Sequence, residues 1–378
     1  MIRRTIYKYE LKKLFFSKVN LVALAGTAIM LVVLVISSMT DEMPVSREAA
    51  KELDGRTIDA RLIEEMKPAL RYEGGTTVVE ITAEYEKYVP VLDVVLSVAG
   101  NDSDLTLPSE VDFYDLREQK LAQRIEKQGL TETEKAFWSE QEALIQKPFV
   151  YRYHSGPANL LKSFQALGFF LLLLSAIGLS GVYARETADN MNQLLLCSRY
   201  GKKELYFVKF AAGITWILAV AVVVVLAVLT PFCAVYGMEG TGEMLQLVKP
   251  LSMLPLTIGQ MLLIYTGIYL LAAVLFASVA MLLSVITQNA LTVICALMGY
   301  LLVDLFADFP DRFRLLQKIW SLRPNAVLMN TGFSNYRLFH IAGRMFLNYR
   351  MAPMVYVVII VLALLIGRRK YSGLQVGK

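Results

Sequence analysis

The sequence predicts an all-α polytopic membrane protein with six transmembrane helices and a mainly helical extracytoplasmic domain between the first and the second. Hydrophobic residues make up 56% of the 378 residues, and they gather into long runs. A run of about 18 or more apolar residues crosses a hydrocarbon core of roughly 30 Å as a helix. A polar insert at 39–158 follows the first run, which predicts a separate domain on one side of the membrane.

The chain begins with a basic segment, 1–18, that predicts a cytoplasmic amphipathic interfacial helix. Apolar and aromatic side chains share one face, and Arg4, Lys8 and Lys12 share another. A simple group of charges flanking the first span is the alternative. Bases also follow the last apolar run, in the tail 368–378. Because positive charges accumulate on the cytoplasmic side of spans, both termini are expected there.

Six apolar runs are predicted to span the membrane. The fourth is long enough to need a tilt or a break, and Gly267 is the predicted position of a break. The sixth is the shortest and is expected to use Tyr356 and Arg368 as interfacial anchors. The predicted spans are 19–38, 159–183, 207–229, 254–286, 290–306 and 353–367.

The insert 39–158 is acidic, since its Asp and Glu outnumber its Lys and Arg. Its patterns predict several helices. Thr131 and Glu134 have the spacing of a capping box, in which the two side chains satisfy free backbone amides at a helix start. The insert is long enough to pack a core of its own, and it faces outward if both termini lie in the cytoplasm.

The segment 307–352, between the fifth and sixth runs, is predicted to be an extracytoplasmic or membrane-dipping element. Residues 311–322 place apolar and basic side chains at helical spacing, and 336–349 repeats this style after Pro324 and Gly332. The segment is rich in bases, which conflicts with an outward placement under the positive-inside tendency. A different crossing of the fourth run is the alternative.

The residue types exclude most catalytic chemistry. The only histidines are His154 and His340, far apart in sequence, and no phosphate-binding loop of the form G-x-x-x-x-G-K-[ST] occurs. Bases border the spans and do not form a groove with stacking aromatics, so nucleic-acid binding is not expected. The chain is therefore predicted not to be an enzyme and to hold no cofactor or metal.

Charges are also scarce inside the predicted spans, where ion-coupled transporters keep ionisable groups. A few mostly uncharged polar residues mark a candidate polar seam or path lining. For the glutamines the alternative is helix–helix hydrogen bonding, and for the aspartate it is an interfacial position. The candidates are Gln165, Gln260, Thr266 and Asp304. A transporter of this kind needs a partner that supplies energy.

The polar connector 184–206, between the second and third runs, is the predicted contact for such a partner. Its charged ends and central leucines are typical of a short helix with an apolar tip, which transmits a push from a soluble domain to two spans. An ordinary cytoplasmic turn is the alternative. The candidate coupling residues are Arg185, Glu186, Asp189, Asn190, Leu194, Leu195, Leu196, Arg199, Lys202, Lys203 and Lys209.

In this order of residues the connector resembles the permease subunits of ABC-2 type transporters. In that family a span ends in a glycine and an aromatic residue, and an acid, a leucine triplet, a Ser-Arg turn and a lysine follow. The matching positions here are Gly181, Tyr183, Glu186, Leu194, Leu195, Leu196, Ser198, Arg199 and Lys209. Cys197 stands where the family usually has a proline. The basic first helix, the outward insert and the six predicted spans also agree with the family.

The resemblance implies a transmembrane subunit of an ATP-driven exporter in the bacterial plasma membrane. Such a subunit pairs with a second permease copy or a paralogue, and with a separate ATPase that binds ATP and Mg²⁺. Glu186 and the leucine triplet would then lie in the coupling loop. Peptides, antibiotics, lipids and polysaccharides are all open as substrates.

A second function is compatible with the same sequence: a non-transporting membrane sensor or immunity protein. Its acidic outward domain, 39–158, would bind a cationic peptide by charge attraction. Copurification with an ATPase distinguishes the two functions.

Overall fold

A bundle of long apolar helices carries a smaller globular unit at one end. The described residues of the insert 39–158 form this unit. The structure is a computed structural model. It describes residues 2–40, 45–73, 76–79, 84–99, 113–188, 191, 204–307, 309, 313–328, 335–341 and 343–373.

Five described helices are long and apolar enough to cross a membrane: Lys18–Ser38, Ser155–Glu186, Glu204–Tyr236, Ile258–Thr287 and Asn348–Ser372. The remaining predicted span, Ala290–Phe306, has 17 residues. Its length is therefore about 25 Å, which is short of a hydrocarbon core of roughly 30 Å. The described residues support a membrane protein with five spans by length, and a sixth crossing stays a prediction.

Two helices precede the globular unit: α1 (Ile2–Phe15) and α2 (Lys18–Thr40). At the break between them, Asn20 Nδ2 donates to the Leu14 carbonyl at 2.8 Å. A helix is thus present in the predicted basic segment. Most side chains of α2 face away from the rest of the protein, as Val22 does, which suits a helix surrounded by lipid.

The globular unit contains five α-helices, two short 3₁₀ helices (Lys67–Ala69 and Glu86–Tyr88) and one hairpin among its described residues. The α-helices are α3 (Arg47–Glu52), α4 (Ala60–Met66), α5 (Val89–Ala99), α6 (Phe113–Lys127) and α7 (Glu132–Ala143), and β1 (Leu70–Glu73) pairs antiparallel with β2 (Thr76–Val79). A core of its own forms around residues such as Leu62, Val95 and Phe149, as its length predicts. The capping box is confirmed, since Glu134 N donates to Thr131 Oγ1 at 3.3 Å and Thr131 N donates to Glu134 Oε2 at 3.0 Å.

The bundle continues with α8 (Ser155–Leu179), α9 (Gly181–Ala188), α10 (Glu204–Tyr236), α11 (Ile258–Thr287) and α12 (Ala290–Phe306). Helix α11 packs against α8, α10 and α12. It runs without interruption through Gly267, so the predicted break there is wrong. A glycine costs a helix only about 1 kcal/mol relative to alanine, and tertiary packing of a buried helix exceeds that cost.

Among the described residues between α12 and the last helix, α15 (Asn348–Ser372), are two short helices and a hairpin. These are α13 (Arg314–Trp320), α14 (Pro324–Leu328), β3 (Phe339–Ile341) and β4 (Arg344–Phe346). The five residues of α14 are all buried, and they pack against α8, α11 and α15. The predicted helical pattern at 336–349 is wrong, because Gly343 has φ of 75°, and this left-handed conformation favours a hairpin turn over a helix.

The globular unit rests on this segment. Trp138 Nε1 donates to the Tyr336 carbonyl at 2.6 Å, and Arg314 Nη1 donates to the Gly129 carbonyl at 2.9 Å. Arg337 Nε donates to a second carbonyl of the turn that contains Gly129, that of Gln128, at 2.9 Å. The turn between α6 and α7 therefore contacts Arg314 of α13 and Arg337, and the two regions share one end of the bundle.

Candidate functional site

The structure describes both ends of the connector. Helix α9 contains Arg185 and Glu186, and the second turn of α10 contains Lys209. The other predicted coupling residues lie outside the described residues: Asp189, Asn190, Leu194, Leu195, Leu196, Arg199, Lys202 and Lys203. The site can therefore be built from the residues that hold the two ends of the connector.

A buried ion pair joins these two ends. Lys209 Nζ donates to a carboxylate oxygen of Glu186 and to the Val182 carbonyl, the latter at 3.1 Å. Lys209 is 1% exposed and Glu186 is 6% exposed. A buried ammonium group requires a counter-ion, because burial without one is strongly unfavourable. The pair therefore holds the start of α10 against the end of α9.

The third member of the site comes from the first helix of the chain. Glu10 Oε2 lies 3.7 Å from Lys209 Nζ, and Glu10 is itself buried. We call Glu10, Glu186 and Lys209 the connector cluster. Lys13 Nζ lies at its edge, 4.0 Å from Glu186 Oε1. A segment distant in sequence thus supplies the second carboxylate that faces Lys209.

Further contacts fasten α1 across the start of α10. Arg3 donates to both carboxylate oxygens of Glu204, at 2.6 and 2.5 Å. Tyr7 Oη donates to Thr215 Oγ1 at 2.8 Å. Because these contacts lie on either side of Lys209 along α10, the position of Glu10 is set by the docking of the whole helix.

A layer of three tyrosines packs beside the connector cluster. Tyr183 Oη donates to the Tyr206 carbonyl at 2.9 Å, and the two rings stack with centroids 5.5 Å apart. Tyr371 of α15 packs against both rings. Gly367 belongs to the same contact, since a Cβ at that position would collide with the Tyr206 hydroxyl. The last helix is thereby tied to the ends of the connector.

Helix α11 holds the other side of α9. Ser284 Oγ donates to the Ser180 carbonyl at 2.6 Å and accepts from the amides of Tyr183 and Ala184, at 3.2 and 3.1 Å. Arg185 Nη1 donates to Ser17 Oγ at 3.0 Å, at the break between α1 and α2. The ends of the connector therefore contact most of the bundle, and a displacement of the connector must move several helices.

One polar atom of the site has no hydrogen-bond partner among the described residues: Glu186 Oε2, which is buried. The connector cluster contains two carboxylates and one fully buried ammonium group, with Lys13 at its edge. Such a group of charges holds helices in one arrangement, and its energy depends strongly on the distances between the charges. It is suited to positioning and to conformational coupling.

The residues of the predicted polar seam have separate partners. Gln260 Oε1 accepts from the Thr257 amide at 3.1 Å and completes a capping box. Thr266 donates to the Leu262 carbonyl of its own helix at 2.8 Å. The side chain of Gln165 lies outside the described residues.

Asp304 is buried in a different polar contact. Its carboxylate accepts from Arg323 Nη1 at 2.5 Å and from Asn325 Nδ2 at 2.6 Å. Arg323 also lies over the Trp320 ring, at 3.7 Å from the centroid. The aspartate therefore ties the end of α12 to α13 and α14.

Several contributors to the site are absent from the sequence prediction, among them Glu10 and Tyr371. A signal for Glu10 was present, because it is the only acid in the basic segment 1–18. A lone acid on a basic helix next to a membrane span suggests a partner base. Tyr371 has no comparable signal, since its role depends on how α15 returns to α9 and α10.

In comparisons of the chain with family models, curated proteins and solved structures, no match was found. The contacts within this chain are therefore the observations from which a function follows.

Proposed function

We propose that the chain is the membrane-spanning permease subunit of an ATP-driven ABC-2 type exporter. The connector 184–206 is the docking element for a separate ATPase subunit, which binds ATP and Mg²⁺. A second copy or a paralogue completes the translocation path, and both termini lie in the cytoplasm of a bacterium. The residue order of the connector and the five helices long enough to span a membrane support this proposal.

One observation carries the proposal: the buried contact between Glu186 and Lys209. A loop whose two ends were independent would bend under a push from a soluble subunit. Here the ends are joined to each other by an ion pair and to α1 through Glu10. A displacement of the connector is then passed to α8, α9 and α10 together, as a movement of packed helices.

The leucine triplet provides the test of docking. In the variant Leu194→Glu/Leu195→Glu/Leu196→Glu, the apolar tip is replaced by charges, so the partner ATPase is expected to dissociate. Copurification with the ATPase and transport-coupled ATP turnover should both be lost, while the amount of protein in the membrane stays as in the wild type. The measurement is affinity purification from membranes followed by an ATPase assay.

Two controls separate docking from misfolding. Leu194→Met/Leu195→Met/Leu196→Met keeps an apolar tip and should retain the ATPase. Leu144→Glu places a charge at an exposed leucine of the globular unit and should also retain it. Unchanged copurification and ATP turnover in the glutamate triple variant would show that the connector does not dock the ATPase.

A further inference from the structure

The connector end of the bundle carries a strong excess of positive charge. It comprises the described residues 2–18, 181–188, 204–210 and 366–373. Its only acids are Glu10, Glu186 and Glu204, and each of them is paired with a base within the protein. The bases that remain exposed at this end therefore have no acid of this group left to neutralise them.

Three of the exposed bases form one stripe on α1. Arg4, Lys8 and Lys12 follow one another at intervals of four residues, which places them on one side of the helix. Two large aromatic residues are exposed as well: Tyr9 of α1 is 68% exposed, and Phe16, directly after α1, is 70% exposed. The opposite side of α1 carries Glu10, which is buried in the connector cluster.

We propose that the exposed face of α1 binds the anionic phospholipid headgroups of the inner leaflet and thereby holds Glu10 in the connector cluster. Lys and Arg near an anionic surface are attracted to its phosphates, and aromatic side chains insert at the boundary between headgroups and acyl chains. This partner satisfies both kinds of exposed side chain. A soluble phosphate ion would pair with the bases but would leave Tyr9 and Phe16 in water.

The position of α1 in the chain favours the leaflet as the partner. Helix α2, which is apolar and begins at Lys18, follows α1 after two residues. The C-terminal turns of α1 must therefore lie at the depth where α2 enters the membrane. Arg368 and Arg369 are exposed at the same end of the bundle, and Arg368 lies over the Phe207 ring, 5.3 Å from its centroid.

Lipid binding on one side of α1 is linked to the connector on the other side. Displacing α1 removes Glu10 from Lys209 and Arg3 from Glu204. An anionic leaflet stabilises the docked helix and so favours the arrangement in which the ends of the connector are held together. If the proposed exporter function is right, ATP-driven coupling requires anionic lipid, and this consequence rests on that function.

The size of the effect follows from the number of bases. Each Lys or Arg near an anionic surface contributes about 1 kcal/mol, or roughly fivefold in an equilibrium constant. Three bases together can shift the equilibrium between docked and undocked α1 by at most roughly 100-fold, a limit that is reached when only docked α1 contacts the leaflet. Salt weakens the effect, because exposed charges are screened.

The test is hydrogen–deuterium exchange of the full-length protein in lipid nanodiscs. Amides of residues 2–16 should exchange much more slowly in discs containing phosphatidylglycerol than in discs of phosphatidylcholine alone. In Arg4→Gln/Lys8→Gln/Lys12→Gln the difference between the two lipids should disappear. The matched control, Arg61→Gln/Lys127→Gln/Lys135→Gln, removes the same charge from exposed positions of the globular unit and should keep the difference.

A second variant tests the link to the connector cluster. Glu10→Gln leaves the lipid-facing bases in place, so the lipid-dependent protection of α1 should persist in part. Protection of residues 181–188 by anionic lipid should be lost, because the charge that joins α1 to Lys209 is gone. Exchange in α11 reports whether each variant has kept the fold.

Three results would overturn the proposal. Equal exchange of α1 in both lipids would exclude recognition of the anionic leaflet. The same lipid-dependent difference in α1 exchange in both triple variants would exclude it as well. Protection of α1 by inorganic phosphate added to phosphatidylcholine discs would show recognition of a soluble anion instead. The assay needs no ATPase, so its failure is distinguishable from failure of the exporter function, which the leucine triplet tests.

Discussion

At the scale of single residues, Lys209 decides the geometry of the connector ends. It is fully buried and faces two carboxylates, Glu186 and Glu10. The sequence marks Glu186 and Lys209 as candidate coupling residues, and the structure places them in direct contact. The contact with Glu10 could not be predicted, because periodicity shows the face on which a residue lies but not the helix that this face meets.

The connector cluster predicts an asymmetry between two substitutions. Lys209→Met leaves Glu186 and Glu10 without the ammonium group that faces both. Glu186→Gln leaves Lys209 paired with Glu10. Since removing one partner of a buried ion pair costs about 3–5 kcal/mol, Lys209→Met should lower stability by that amount and Glu186→Gln by clearly less. The measurement is the thermal unfolding midpoint of the detergent-solubilised protein.

A neutral version of the same cluster is the control for this prediction. Glu10→Gln/Glu186→Gln/Lys209→Met removes all three charges and should recover most of the stability lost in Lys209→Met. Arg61→Gln breaks an exposed ion pair with Glu65 and should have little effect. If Lys209→Met and Glu186→Gln destabilise equally, and the triple variant recovers nothing, then charge pairing is not what holds the ends together.

At the scale of elements, Glu134 joins the globular unit to the segment before the last helix. Its carboxylate accepts from the amides of Thr131 and Leu338, at 3.0 and 2.9 Å, and from Arg314 and Lys318. Burial alone would raise the pKa of this carboxyl group, but these amides and bases lower it to about 2. Glu134, which the sequence predicts as a capping residue of α7, thus also binds α13 and the amide of Leu338, directly before β3.

Glu134→Gln should therefore loosen the contact at neutral pH. In the wild type, the stabilisation is fully present above the ordinary pKa of 4.5 and is lost as the pH falls from there towards about 2. Trp138 reports the contact, because its indole donates to the Tyr336 carbonyl. The measurement is tryptophan fluorescence as a function of pH, with Trp138→Phe identifying the contribution of that residue.

The neighbouring Glu132 is a matched control on the same helix. It is exposed and pairs only with Lys135 among the ion pairs of the described residues. Glu132→Gln should leave the fluorescence of Trp138 and its pH dependence unchanged. An identical response of the Glu132 and Glu134 variants would contradict the role of Glu134.

At the scale of the whole molecule, the two ends of the bundle differ in charge and in content. Helix α8 begins at the globular unit, and α9 ends at the connector. Helix α10 runs back, so that Tyr153 Oη donates to the Tyr236 carbonyl at 3.0 Å near the globular unit. Exposed bases of α1 and α15 lie at the connector end. By the positive-inside tendency, this end is predicted to face the cytoplasm.

Labelling of introduced cysteines tests this orientation. In a background without Cys197, Cys233 and Cys295, a membrane-impermeant maleimide added to intact cells should label Arg61→Cys. It should not label Lys8→Cys until the cells are permeabilised. Arg344→Cys should behave like Arg61→Cys, because the globular unit contacts residues 336–338, which directly precede the hairpin that contains Arg344. The reverse pattern would place the termini outside the cell.

Much of the architecture could be predicted from the sequence, because lipid and water select residues by hydrophobicity over whole segments. The long apolar helices, the basic first helix, the capping box at Thr131 and the independent core of the globular unit follow from local pattern. The errors at Gly267 and at 336–349 have local causes. A single glycine does not break a packed helix, and basic residues at helical spacing also suit a short hairpin.

By itself, the sequence determines that this is a membrane protein with apolar helices, a polar insert and a charged connector. These properties depend on the composition of continuous segments. Only the tertiary structure decides that Glu10 meets Lys209, that Tyr371 packs on Tyr183, and that Glu134 clamps the segment before α15. Each of these contacts joins residues far apart in the chain. Their pairing depends on how the helices pack, and no local pattern records that arrangement.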